Sequence, residues 1–230
     1  MDDTLKRDAA HAAVDRFVES GMTVGLGTGT TASWAVRRIG EKLTAGELWD
    51  IVGVPTSEQT AALAREAAIP RATLAEARPY ITIDGADEIS STLDVVKGLG
   101  GALLREKIVA HSSENGLVII ADDSKLFDSL GEGPLPVEAE PFGWQATMGS
   151  LKKLGCEPSL RRVKTQPFVT DGGHYTIDCL FDGGIPEPKA LEAEIKEIPG
   201  ALECGLFVGL TKAAVVAGEN GVEVIEAETR

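Results

Sequence analysis

The sequence predicts an α/β fold, a mainly parallel sheet covered by helices on both faces, with a small α+β segment inserted late in the chain. Three observations lead there. From residue 5 to about residue 125, apolar runs of strand length alternate with stretches of helical periodicity, the pattern of repeated strand–helix units. Four of those runs end in glycine, aspartate or lysine, which marks one edge of the sheet as polar. After about Gly131 the alternation gives way to hairpin-like runs and two helices.

Leu5, Ala9, Ala12 or Ala13, and Phe17 recur at helical spacing, so a helix is expected over residues 5–18, closed by Gly21. Met22 to Leu26 reads as a short buried strand, followed by a glycine- and threonine-rich loop and a helix from about Thr31 to Leu43. Asp50 to Val54 is the next strand; Thr56-Ser57 starts a helix that Ile69-Pro70 closes. Tyr80 to Asp84, Leu93 to Val96 and Leu117 to Ala121 are further strands, with a helix over Ala102 to Ala110. Beyond Pro134-Leu135-Pro136 a helix is expected near Trp144 to Leu154. Strand-like runs follow at Leu160 to Val163 and Tyr175 to Phe181, then a helix from Pro188 to Lys196. Ala213 to Ala217 and Val222 to Ile225 return to the main sheet. The domain boundaries expected are residues 1–130 plus about 208–230 for the main domain, and about 131–207 for the inserted one.

The composition narrows the function. The chain has 230 residues and is 43% hydrophobic, enough for a sizeable core. No apolar run approaches membrane-spanning length, and Met1-Asp2-Asp3-Thr4 lacks the basic-then-apolar pattern of a secretory signal, so a cytoplasmic protein is expected. Cys156, Cys179 and Cys204 form no CxxC, and His11, His111 and His174 lie far apart in sequence, which argues against a zinc or histidine metal site. A net charge of −14, from 36 acidic against 22 basic residues, repels nucleic acid and anionic membranes. Two readings of that excess stay open, adaptation to high salt and an ordinary acidic protein.

Ligands on such sheets bind beyond the carboxyl ends of the strands, and four segments lie there. In Gly25-Leu26-Gly27-Thr28-Gly29-Thr30-Thr31, glycines admit an anion to backbone N–H groups, hydroxyls add donors, and a helix N-terminus follows. A dinucleotide fingerprint fails at Thr30 and Val54, and a Walker loop fails for want of Gly-Lys-Ser/Thr. The alternative is a tight turn with a capping threonine. Asp84-Gly85-Ala86-Asp87 places two carboxylates near one another, so that one can act as acid beside an ionised neighbour; the alternative is an Asx-turn with a helix N-cap. Lys97-Gly98-Leu99-Gly100 offers a cation and amides for a developing oxyanion. On the helix that follows, Glu106 lies among Leu103, Val109 and Ala110, where partial desolvation would suit a general base. If Arg105 or Lys107 reached it, it would be an ion-pair partner instead. Lys125, after Asp122-Asp123-Ser124, fits either a phosphate contact or an exposed lysine at a helix start.

In this order and spacing the four segments closely resemble the type A ribose-5-phosphate isomerases, over essentially the whole chain. Pro134-Leu135-Pro136-Val137-Glu138, Ile198-Pro199-Gly200-Ala201-Leu202-Glu203 and Gly205-Leu206-Phe207 add to the match. Leu99 interrupts what is more often an unbroken glycine run, and Thr30 stands where serine is common. The resemblance implies a Rossmann-like domain with a small ferredoxin-like α+β lid, a homo-oligomer, most simply a homodimer, and no metal or organic cofactor. It implies interconversion of D-ribose 5-phosphate and D-ribulose 5-phosphate, a step of the non-oxidative pentose phosphate pathway. Glu106 then matches the catalytic base, and Asp84, Asp87 and Lys97 match other catalytic positions. Thr28, Gly29, Thr30, Thr31, Gly85, Ala86, Gly98, Leu99, Gly100 and Lys125 match binding segments, and Arg7 aligns loosely with a phosphate-holding residue. Two neighbouring enzyme classes compete. An aminosugar-phosphate isomerase or deaminase would bring a catalytic histidine, which the four segments lack. A coenzyme A transferase would need a nucleophilic glutamate and room for a long thioester. A sugar-phosphate-sensing regulator would carry a basic DNA-binding module, which this acidic chain lacks.

Overall fold

The computed structural model describes residues 3–227. Within them α1 (Asp3–Phe17), β1 (Thr23–Leu26), α2 (Ala32–Ala45), β2 (Val52–Pro55), α3 (Glu58–Glu66) and β3 (Ile81–Gly85) alternate as the apolar runs require. Next come β4 (Glu88–Ser90), β5 (Val95–Val96), α4 (Leu103–Ser112), β6 (Leu117–Asp122), a single 3-10 turn over Asp123–Lys125, and β7 (Leu126–Phe127). The later part holds β8 (Leu135–Ala139), α5 (Trp144–Lys152), β9 (Cys156–Leu160), β10 (Arg162–Val163), β11 (Gln166–Pro167), β12 (Tyr175–Phe181) and α6 (Pro188–Lys196). It closes with β13 (Ala201–Cys204), β14 (Leu206–Phe207), β15 (Thr211–Gly218) and β16 (Gly221–Glu226).

Contacts divide the chain into two units. The first holds the chain up to Ala86, Arg105–Lys125 and the chain from Leu210; the second holds Asp87–Leu104 and Leu126–Gly209. In the first, six strands lie in the order β16-β15-β6-β3-β1-β2, parallel except for β16. The chain leaves β1 for β2 on one side and returns to β3 on the other. The gap between the ends of β1 and β3 is therefore the topological switch point, where open α/β sheets bind ligands.

The two sheet faces differ. Val24, Leu26, Ile81, Ile83, Val118 and Ile120 pack with Ala9, Ala13, Val36 and Ile39 from α1 and α2 in one apolar core. On the opposite face the residues of β1 and β3 and of the loop after β1 are small or polar: Gly25, Gly27, Thr82 and Asp84. There α4 lies close, because a Cβ at Gly25 would meet Val109 at 2.9 Å, and the hydroxyls of Thr82 and Ser113 are 2.6 Å apart. Such backbone-to-helix approach requires glycine at that strand position.

The second unit contains a sheet in the order β13-β8-β12-β9, antiparallel throughout, with α5 and α6 as the connections of a β-α-β-β-α-β motif. This is the ferredoxin-like arrangement expected of the inserted segment. Leu135, Val137, Ile177, Cys179 and Cys204 form its core with Leu151 and Ile195. A separate small sheet runs β14-β5-β4-β7.

Three differences from the sequence-based expectation have physical causes. Leu93 to Val96 is not a strand of the parallel sheet; Val95–Val96 pairs antiparallel with Glu88–Ser90 in the small sheet. Lys97 therefore follows a strand of the second unit, and residues 87–104 and 126–130 belong there, not with the main sheet. Leu135–Ala139 is a central strand despite Pro136, which lacks an N–H for the ladder and hides such strands from pattern reading. The helix begun at Ser57, whose hydroxyl accepts from the N–H of Thr60, ends at Glu66, short of Ile69. The expected extensions over residues 1–2 and 228–230 lie outside the described residues.

Candidate active site

At the switch point the backbone turns on Asp84. Its Oδ1 accepts the N–H of Thr28 at 3.1 Å, bridging the ends of β1 and β3, and the N–H of Gly85 at 2.8 Å. Asp84 is 1% exposed. Gly27 makes the approach possible: a Cβ there would come within 2.6 Å of the Asp84 Cα and collide with its carboxylate. Gly27→Ala is expected to destabilise the protein by about 1–3 kcal/mol, the usual cost of overpacking, and a denaturant titration against wild type checks this.

In the loop beyond β1, Gly29 and Thr30 are exposed. Gly29 lies at φ +113, a conformation suited to glycine. Thr31 immediately precedes α2, and its side chain makes no capping hydrogen bond. The Thr28 hydroxyl is turned inward, 2.7 Å from the Thr56 hydroxyl, 2.8 Å from Ser57 and 3.1 Å from Thr60. It ties β1 to the start of α3 and is not available as an outward donor, contrary to expectation. The Thr30 hydroxyl instead accepts from Lys6 Nζ at 3.0 Å.

Lys6 is the residue the sequence reading passed over. It is 8% exposed and sits in the α1 stripe Lys6, Ala9, Ala10, Ala13 and Val14. A lysine on the buried side of an amphipathic helix was the available signal. Arg7, which aligns only loosely with a phosphate-holding residue, pairs at the surface with Asp8 at 3.2 Å.

Glu106 is 4% exposed. Val109 and Ser113 abut Gly25 and Thr82, and Glu106 precedes them by one and two turns on the same side of α4. The end of α4 lies at the start of β3, where the N–H groups of Glu114 and Asn115 donate to the carbonyls of Pro79 and Tyr80, so Glu106 lies toward the carboxyl edge of the sheet, the edge that carries Gly27 and Asp84. Arg105 is engaged by Glu58 at 3.0 Å. Lys107 is buried at 6% exposure. Lys125 ends the 3-10 turn half-buried, beyond Asp122, whose Oδ1 accepts the N–H of Ser124 at 3.2 Å.

In the second unit, Asp87 does not cap a helix, since a strand follows it. Its N–H donates to the Val96 carbonyl at 2.8 Å, and its Oδ2 accepts the N–H of Leu99 at 3.0 Å. Lys97 is 2% exposed, with Nζ 5.6 Å from the centre of the Phe207 ring. Gly98 at φ +108 packs on Leu103, while Leu99 and Gly100 are exposed. Among the described residues, ligand atoms suited to a metal gather at Glu192, Glu203 and Cys204. Lys196 Nζ already lies 3.2 Å from Glu203; burial works against its charge, but Glu203 and Glu192 hold it above its ordinary pKa. That group is far in sequence from the four segments.

Residues 52–221 match the family model for ribose 5-phosphate isomerase A (phosphoriboisomerase A). The ribose-5-phosphate isomerase A of Gloeobacter violaceus is 54% identical over 97% of this chain and 96% of its own length. That of Roseiflexus sp. is 49% identical over 99% and 98%. Among solved structures, ribose 5-phosphate isomerase from Plasmodium falciparum superposes with a TM-score of 0.95 at 39% identity, covering 99% of this chain and 100% of that one. A D-ribose-5-phosphate isomerase in complex with phospho-erythronic acid has a TM-score of 0.93 at 37% identity, covering 98% and 100%. These matches define the chain as an enzyme of the isomerase class. It belongs to the ribose 5-phosphate isomerase A family.

Proposed function

We propose that the enzyme interconverts D-ribose 5-phosphate and D-ribulose 5-phosphate through a cis-enediolate, with Glu106 as general base. The observation that carries this reading is the burial of Glu106 on the α4 side that lies against β1 and β3, at the ligand-binding edge of the sheet. Glu106 takes the proton from C2 of the opened aldose and returns it to C1. The enediolate needs positive charge and N–H donors, supplied by Lys97 and the amides of Gly98, Leu99 and Gly100. Asp84 shuttles the proton between the two oxygens, and Asp87 orients the sugar or assists ring opening, with Gly85 and Ala86 lining the substrate between them. The phosphate is held by the amides of Gly29, Thr30 and Thr31 at the start of α2, by the Thr30 hydroxyl and by Lys6. Lys125 adds charge there. Distant phosphate binding then positions C1 and C2 for proton transfer.

Phospho-erythronic acid, bound by one structural relative, supports the reading chemically: it joins a carboxylate to a sugar phosphate, an anionic pair like that of the enediolate. The same reading has a cytoplasmic homodimer without metal, acting in the non-oxidative pentose phosphate pathway. Three buried free thiols, Cys156, Cys179 and Cys204, are what a reducing compartment preserves. No described helix is long and apolar enough to cross a membrane. Conversion of ribose 5-phosphate with EDTA present, in low and high salt, tests it, beside glucosamine 6-phosphate and an acyl-CoA. The expected result is turnover of the pentose phosphate alone, undiminished by EDTA. Preference for either other substrate would reject the reading.

A further inference from the structure

The loop from Lys97 to Gly101 is anchored from one side by a single side chain. Arg161, between β9 and β10, donates through Nη1 to the carbonyl oxygens of Gly98 and Leu99, 3.0 Å to each. Its Nε donates to Asp178 Oδ2 on β12 at 2.9 Å, and Nη2 donates to the other oxygen. The Phe168 ring centre lies 5.8 Å from the guanidinium carbon, and the same ring fills the space where a Cβ at Gly101 would be. The backbone of Arg161 is itself fixed, its N–H on the Thr176 carbonyl and its carbonyl accepting from Phe168, both at 2.9 Å.

In a trans peptide the C=O and N–H point in opposite directions. Holding the Gly98 carbonyl on Arg161 turns the Leu99 N–H the other way, where it donates to Asp87 at 3.0 Å. Holding the Leu99 carbonyl turns the Gly100 N–H away from Arg161 in the same manner. Gly98 and Gly101 lie at φ +108 and +83, so the loop is built from residues with little conformational preference of their own. Within the loop the Gly101 N–H also donates to the Gly98 carbonyl at 3.0 Å, and the tethers to Arg161 and Asp87 fix how that turn is aimed.

We propose that Arg161 is a positioning residue for the isomerisation, setting the direction of the Leu99 and Gly100 amides. The proposal rests on the reading above that residues 98–100 hold the substrate. Two carbonyls and a carboxylate are engaged at once by one planar fork, which a lysine ammonium on a flexible stem does not reproduce.

Arg161→Lys, Arg161→Ala and wild type are compared for isomerisation of ribose 5-phosphate, thermal midpoint and amide exchange at Leu99 and Gly100. Arg161→Lys keeps the charge near Asp178 and guards against loss of folding. The expected result is a folded Arg161→Lys protein with kcat lowered about 10- to 100-fold, the scale of a small misplacement. Exchange should quicken at Leu99 and Gly100 more than in the strands of the same unit, and added guanidinium should restore part of the Arg161→Ala rate. Wild-type kcat and KM with only a lower midpoint, or unchanged exchange at both amides, would overturn it. If wild type itself does not convert ribose 5-phosphate, the substrate reading fails, and the exchange measurement still decides whether Arg161 sets the loop.

Discussion

Replacing Glu106 by Gln is expected to leave the enzyme folded and to lower turnover by about 10²-fold or more, the scale of a positioned general base. Gln preserves the shape of a side chain that is 4% exposed, one helical turn before the buried Val109 and Ala110, so the core of α4 has no reason to rearrange. What it removes is the ability to accept a proton from carbon. Substrate binding, which the proposed function assigns to a phosphate grip around Thr30 and Lys6, should change much less, so KM is expected to stay near its wild-type value. A Glu106 that served only to pair a neighbouring cation would give the opposite split, a lower unfolding midpoint with kcat intact. Steady-state kinetics and a melting curve on one preparation separate the two.

The second large effect is expected at Lys97. Its ammonium is almost fully buried over the face of Phe207, an environment in which a charge acts with little solvent screening. Lys97→Met keeps the length of the side chain and deletes the charge. It should lower kcat by about 10²- to 10³-fold, as loss of an oxyanion donor does, and raise KM as well. Lys97→Ala adds a cavity to the same loss, so its stability should fall further while its kinetics resemble those of Lys97→Met. A lysine needed only for packing would instead be replaced by Met without kinetic consequence.

The parts of the fold that declare themselves locally were legible from the residues alone. Pro188–Lys196, with proline in its first turn, matches its helix residue for residue. The alternation from α1 to β6 identifies the parallel sheet, because each strand is a short apolar run followed by amphipathic periodicity. What stayed hidden was set by long-range pairing. Val95–Val96 is only two residues long and gains its strand character from β4 and β14. Pro136 masks β8, which both neighbouring strands support.

The site divides in the same way. Asp84, Lys97 and Glu106 stand out in the sequence because each charged residue falls where the surrounding pattern is apolar or glycine-rich, and the structure buries all three. The inward turn of the Thr28 hydroxyl follows from Thr56, Ser57 and Thr60, some thirty positions away, and no local pattern encodes it. Lys6 was within reach of helical periodicity, but the stripe chosen for α1 ran through Leu5 and left it on the edge. Arg161 gains its meaning only when β9 and β12 bring it to Asp178 and the loop at Gly98.

The most direct test of the central claim follows the hydrogen on the sugar's second carbon. Ribose 5-phosphate deuterated at C2 is incubated with wild type and with Glu106→Gln, and loss of the label to water is measured alongside product formation. Wild type should release deuterium during turnover, and Glu106→Gln should lose release and turnover to the same degree. Equal label release by the two enzymes would contradict the account.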